Sequence, residues 1–206
     1  MIDKVYAILR KQDYRVPVVD LIQLQTGDSF RVLVSAIMSA RTNDSTTIAA
    51  AERLFKRVGR LSDFGNITTS EIEKLIFPVG FYRNKARFLK QLAGVKTIPR
   101  TVDELIKLPG VGRKTANLVV AVAFGKPAIC VDTHVHKIMN RLGYVQTKTP
   151  EQTESALRKK LPKRLWKVTN TIFVAFGQNT CRPISPHCST CPIRGYCMRV
   201  GVTSCR

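Results

Sequence analysis

Four of the six cysteines, Cys181, Cys188, Cys191 and Cys197, stand within seventeen residues, with six, two and five residues between them. No other feature constrains the fold as tightly, because thiols so close in sequence must share one loop. The chain opens on Met1-Ile2-Asp3-Lys4 without a signal peptide, so a soluble, intracellular protein of the cytoplasm or nucleoid is expected. In a reducing compartment such a loop closes on a metal rather than on disulfides. One Cys-x-x-Cys pair with two flanking cysteines suits a compact iron-sulfur cubane. A structural zinc site more often carries two paired knuckles. The spacing favours the cubane and leaves zinc open. Cys130, inside Ala128-Ile129-Cys130-Val131, reads as a small core residue, and Cys205 has no evident partner.

Charge narrows the partner. Thirty-four Lys and Arg against fourteen Asp and Glu leave a formal charge of +20. That excess predicts a polyanion, either nucleic acid or an acidic membrane surface. The longest purely apolar run, Leu118 to Phe124, is far below the roughly 20 residues needed to span a bilayer. With 44% hydrophobic residues the chain can still bury a sizeable core.

The hydrophobic pattern is helical throughout, which predicts an all-α protein of about ten short helices. Ile2, Val5, Tyr6 and Leu9 share one face of a first helix. Phe30 to Ala40 reads as a buried helix behind the polar cap Asp28-Ser29. Another helix is expected from Asp44 to before Gly59. Ser70 with Glu73, Thr101 with Glu104, and Thr149 with Gln152 have capping-box spacing, the last with Pro150 at the first helical position. Further helices are expected near 83–94, 113–124, 133–142 and 163–177. Gly125-Lys126-Pro127 breaks the preceding helix, so a boundary between two lobes is expected near 128–131.

The most informative stretch is Leu108-Pro109-Gly110-Val111-Gly112-Arg113-Lys114-Thr115-Ala116. One helix should end before Pro109 and another begin near Arg113. Between them, two glycines let the backbone approach a ligand. The first amides of the new helix have no intrahelical partner and carry partial positive charge, so they form an anion site. Beside so basic a composition, the fitting anion is a DNA phosphate; a plain interhelical turn is the alternative. A nucleotide P-loop is disfavoured, since Gly-x4-Gly-Lys-Ser/Thr does not occur here.

Lys114 falls in the first turn of that helix. The adjacent Arg113, the positive helix end and burial by bound DNA all favour its neutral amine, which is a nucleophile able to form a Schiff base. Taken alone, Lys114 reads equally well as a phosphate-binding cation. Asp132, before Thr133-His134, reads equally well as a plain N-cap.

Leu108 to Asn117 together with Val131-Asp132-Thr133-His134 resemble the helix-hairpin-helix DNA glycosylases. The Cys-x6-Cys-x2-Cys-x5-Cys pattern is similar to that of their endonuclease III branch, and the resemblance runs from about residue 28 to Cys197. It implies a six-helix barrel lobe over 25–129 with its hairpin at 108–112. A second lobe, 1–24 plus 130–206, would carry the cluster loop 181–197, with DNA in a cleft between the lobes. It implies a monomeric base-excision repair enzyme acting on duplex DNA with a damaged base or abasic site. Lys114 would attack C1′ of the damaged nucleotide while Asp132 helps activate it and stabilises charge on the sugar. An oxidised pyrimidine would leave, and β-elimination would nick the strand 3′ to the lost base. Branches that excise adenine lack a lysine at this place.

The same resemblance makes Cys181, Cys188, Cys191 and Cys197 the ligands of a [4Fe-4S] cluster, which we read as a staple rather than a redox catalyst. It assigns Pro109, Gly110, Val111, Gly112 and Arg113 to the DNA backbone, and Arg182 as the cluster loop's DNA contact. Family members also insert residues from loops matching Ser39-Ala40-Arg41-Thr42 and Gly80-Phe81-Tyr82 into the gap left by the everted base. Arg41 stands where glutamine is usual and Phe81 where leucine is usual. Arg41 could pair with the orphan base and Phe81 stack as a wedge. The competing readings are a phosphate contact for Arg41 and a core position for Phe81. Two other classes share these features: a non-catalytic DNA binder with a redox-sensing cluster, and a glycosylase for mismatched thymine or uracil.

Overall fold

Asp28 starts the most buried helix of the molecule. Its carboxylate accepts from the Phe30 amide at 2.9 Å. From there Phe30 and every residue from Val32 to Met38 are buried, as a helix that is apolar all round requires. The computed structural model describes Met1–Arg206 and is all-α, with no β-strand. Its helices are α1 (Ile2–Arg10), α2 (Val18–Thr26), α3 (Ser29–Ser39), α4 (Asp44–Phe55), α5 (Thr69–Ile76) and α6 (Tyr82–Gln91). They continue with α7 (Val102–Leu105), α8 (Arg113–Phe124), α9 (Thr133–Arg141), α10 (Pro150–Lys160) and α11 (Trp166–Asn179). Short 3-10 turns occur at 61–66, 92–94, 163–165 and 194–196. No helix is long and apolar enough to cross a membrane.

The chain forms two units, Val18–Lys126 and a discontinuous one of Met1–Pro17 with Pro127–Arg206. The sequence reading divided it instead after 24 and after 129. The difference arises at both seams. α2 packs on α3, and the Val18 amide donates to the Asp44 carboxylate at 3.3 Å, which ties residues 18–26 to the continuous unit. Ile129 is fully buried in the core of the other unit.

In the continuous unit, α3 and α8 pack together as two largely buried helices, with α2, α4 and α6 also against α3. Burying each Leu, Ile or Val of such a pair contributes about 1.5–3 kcal/mol. In the discontinuous unit, Val5, Tyr6 and Leu9 of α1 join Val135, Ile138 and Met139 of α9 and Phe173 and Phe176 of α11. Tyr6 meets Phe173 edge-on at 5.2 Å, and its hydroxyl shares a hydrogen bond with Thr169 at 2.8 Å. Burial pushes the Tyr6 phenol well above its ordinary pKa, so it stays a neutral partner.

Several expected caps form as read. Thr101 accepts from Glu104, Asp132 from Val135 and Thr149 from Gln152, with Pro150 opening α10. One does not. α5 is capped by Thr68, whose hydroxyl accepts from the Glu71 amide while the Glu71 carboxylate accepts from the Thr68 amide at 2.7 Å. Two frames of the same spacing overlap there, and the Thr68 frame is the one that buries Ile72 and Ile76. The helix α2 had no sequence signal of its own. Cys130 is buried, as its apolar setting suggested.

Candidate functional site

The hairpin between α7 and α8 is built from the residues its sequence singled out. The Val111 amide donates to the Leu108 carbonyl at 3.2 Å and closes the turn. Gly110 has φ +74°, and a Cβ there would lie 2.7 Å from the Phe88 ring of α6, so only glycine lets the hairpin sit on that ring. The Val111 side chain is buried and anchors the turn. Pro109 is partly exposed, and Gly110 and Gly112 are exposed.

Gly112 occupies the N-cap of α8 and has no side chain with which to cap it. The first helical amide bond runs from Ala116 to the Gly112 carbonyl at 2.9 Å. Nothing lies within 4 Å of where a Cβ of Gly112 would be, so a ligand can approach the helix start closely. Arg113 and Lys114 follow in the first turn, both exposed. An open helix start flanked by two cations is an anion site.

Asp132 belongs to the other unit and is the N-cap of α9. Its Oδ1 accepts from the Val135 amide at 2.9 Å. Asp132 is half-buried, and residues on either side of it pack on α11. Gly177 of α11 leaves room for His134, since a Cβ there would meet the His134 ring at 2.2 Å, and Asn170 of α11 donates to the Cys130 carbonyl at 3.4 Å. The capping role of Asp132 is therefore real, and it occupies one carboxylate oxygen.

Arg41 and Phe81 stand together within the continuous unit. The Arg41 guanidinium lies over the Phe81 ring, 5.5 Å from its centroid, and both residues are exposed. Phe81 is 59% exposed, which excludes a core role. Both adopt left-handed backbone conformations, φ 55° and 58°, unusual for residues with side chains.

The four cysteines line one pocket, together with Arg141, His187 and Ile193. All are free thiols. No three Cys, His, Asp or Glu side chains are gathered as a group that could hold a metal ion. Burial pushes the Cys191 thiol up to about 11. Arg141, at the end of α9, pins the loop by donating to the Arg182 and Pro183 carbonyls, both at 2.8 Å, and to Cys181 Sγ at 3.4 Å. The Arg182 side chain is exposed. Cys205 stands within hydrogen-bond reach of Cys188. The tail is laid along the loop by two backbone hydrogen bonds, from the Ser189 amide to the Arg206 carbonyl and from the Arg206 amide to the Pro186 carbonyl, each 2.9 Å.

Part of the basic sequence is structural. Arg158 pairs with Glu154 at 2.9 Å and stacks over Trp166, and Lys160 donates to the Tyr144 carbonyl at 2.6 Å. Sequence reasoning missed Arg141 and Lys85, whose partners are carbonyls distant in the chain and leave no local signal.

Residues 34–163 match the model of the HhH-GPD superfamily base excision DNA repair proteins. The chain is 43% identical over 176 residues to endonuclease III of Thermotoga maritima, covering 82% of this chain and 83% of that protein. Several plant and vertebrate relatives are longer, and the chain spans 47% to 63% of them. Among solved structures it resembles a trapped endonuclease III–DNA covalent intermediate, with TM-score 0.78 and 36% identity over 88% of this chain and 93% of that one. It also resembles a thermostable thymine-DNA glycosylase, with TM-score 0.81 and 26% identity over 94% and 93%. With a family model matched over more than half its length and relatives above 40% identity, the chain belongs to the HhH-GPD superfamily of base excision DNA repair proteins and, within it, to the endonuclease III family.

Proposed function

We propose that this endonuclease III family member works as a monomer on duplex DNA, excising oxidised pyrimidines and cutting the abasic strand, with Lys114 as its nucleophile. The observation that carries the reading is the exposed Lys114 amine in the first turn of α8, directly behind the uncapped helix start at Gly112. Pro109 to Arg113 take a backbone phosphate there, which sets the register of the strand. The target nucleotide leaves the stack, at a cost of a few kcal/mol that is smallest for a damaged base. Arg41 and Phe81 fill the gap, and Arg182 contacts the backbone from the cysteine loop.

The Lys114 nitrogen then bonds to C1′ as the glycosidic C–N bond breaks and the base departs with a proton. The Asp132 carboxylate stabilises the positive charge that develops on the sugar. Opening of the sugar ring gives an imine. Loss of a C2′ proton expels the 3′ phosphate, and water releases the amine. None of these steps transfers an electron.

Cys181, Cys188, Cys191 and Cys197 are the ligands we assign to a [4Fe-4S] cluster. The chemistry of the donor set fits: four thiols line one pocket, and four cysteine thiolates are the set such a cluster takes. When bound, the group supplies a cross-link. The chain's own contribution is to hold the loop on the α9–α11 core, through Arg141.

Borohydride added during turnover should trap the wild type on damaged duplex and leave Lys114→Ala untrapped. Trapping and nicking by Lys114→Ala at the wild-type level would overturn the assignment. Cleavage of abasic DNA in EDTA separates the enzyme from a mere DNA binder. The likeness to a thymine-DNA glycosylase makes a G·T mismatch an essential member of the lesion panel; faster release of mismatched thymine than of oxidised pyrimidines would replace the substrate reading.

A further inference from the structure

Lys85 of α6 is a lysine on the apolar side of its helix, 6% exposed. Its Nζ donates to the Met38 carbonyl at 2.7 Å, the Ala40 carbonyl at 2.5 Å and the Thr42 hydroxyl at 3.3 Å. Three ammonium hydrogens thus meet three acceptors. The Thr42 hydroxyl is used to its full capacity as well. It accepts from Lys85 and from the Gly80 amide at 3.1 Å, and donates to the Ala40 carbonyl at 3.4 Å. The neighbouring loop closes tightly on this point, since a Cβ on Gly80 would lie 2.5 Å from the Arg41 carbonyl oxygen. Arg41 and Phe81 each follow one of these anchor points, and both hold left-handed backbone. Such conformations persist only where the surroundings over-determine them.

We propose that Lys85, acting through Thr42 and Gly80, is the positioning residue that locks the two loops into one piece, so that Arg41 and Phe81 enter the duplex as a single pre-stacked wedge. The proposal rests on the reading of Arg41 and Phe81 as inserting residues. Lys85 touches neither substrate nor reacting atoms; its part is to abolish the independent motion of the two loops. Ordering them beforehand removes a cost that would otherwise fall on the base-everting step. Burial pushes the Lys85 amine down to about 8, consistent with a lysine withdrawn from solvent.

The test uses the full chain and a duplex carrying 2-aminopurine opposite an abasic-site analogue, whose emission rises when the orphan base is unstacked. Single-turnover excision of an oxidised pyrimidine is measured alongside. Lys85→Met should lose most of the emission rise and slow excision about 10- to 100-fold, while a melting curve confirms that it folds. On an Arg41→Ala/Phe81→Ala background the same substitution should change neither signal, because Lys85 acts through that pair. Thr42→Val, which keeps shape and removes the shared hydroxyl, carries the test should Lys85→Met not fold. Wild-type emission and rate in the Lys85 and Thr42 variants would overturn the proposal, as would an undiminished Lys85→Met effect on the double-variant background. If the Arg41/Phe81 double variant itself behaves as wild type, the inserting reading falls and the proposal with it.

Discussion

The starts of α8 and α9 are opposite solutions to one problem. Both helices follow an extended residue and both begin with unpaired amides. At α9 the chain closes the start with its own carboxylate, Asp132, at 2.9 Å from the Val135 amide. At α8 it places Gly112, which has nothing to offer, and sets two cations behind it. A closed start stabilises the helix; an open one gives up a cap and leaves the site to an external anion. The difference teaches that a missing cap is informative only beside charges that make the vacancy useful. The Asp132 cap also uses only one oxygen of its carboxylate.

Exchanging the properties of the two starts tests this. Asp132→Asn keeps the cap, since Asn and Asp cap about equally well, but removes the charge. Excision should fall about 100-fold or more with the melting temperature unchanged, measured by single-turnover kinetics and calorimetry. Gly112→Asp would convert the open start into a closed one. Its space is clear and its backbone is extended, so the variant should fold with slightly raised stability. Affinity for duplex DNA should drop about tenfold, with the salt slope of log K reduced by about 1, read by fluorescence anisotropy across a salt series. Asp132→Ala removes cap and charge together, so a stability loss of about 0.5–2 kcal/mol should join the loss of excision. Denaturant titration separates it from Asp132→Asn.

The smallest effect concerns Lys85, whose folded-state pKa of about 8 lies below the ordinary lysine value. As pH rises from 8 towards 10 the folded chain releases this proton while the unfolded chain keeps it. The wild type therefore gains stability relative to Lys85→Met across that window. Urea midpoints at pH 7, 8.5 and 10 would check the sign, and a wild-type midpoint that fell relative to that of Lys85→Met would contradict it.

What the sequence made legible is what side chains settle with nearby backbone. The Asp28 and Asp132 caps, the hairpin at 108–112 and the apolar face of α1 are local patterns, and they form. The cap of α5 was misread because Thr68 and Ser70 offer the same spacing, and only the burial of Ile72 and Ile76 chooses between them. α2 was invisible because its apolar residues surround it: Val18, Val19 and Ile22 are buried while Leu24 is 74% exposed. Missing it displaced the boundary between the units. Lys85 drew no reading of its own, since its acceptors lie more than forty residues away. The left-handed turns at Arg41 and Phe81 carry no residue-type signal at all.

The discontinuous unit has a consequence for synthesis. Val18–Lys126 is continuous and can fold as soon as it has emerged from the ribosome. The first helix has no such freedom. Its Tyr6 packs on Phe173, which is translated roughly 8 to 33 s later at ordinary elongation rates. For that interval the apolar face of α1 waits without its partners.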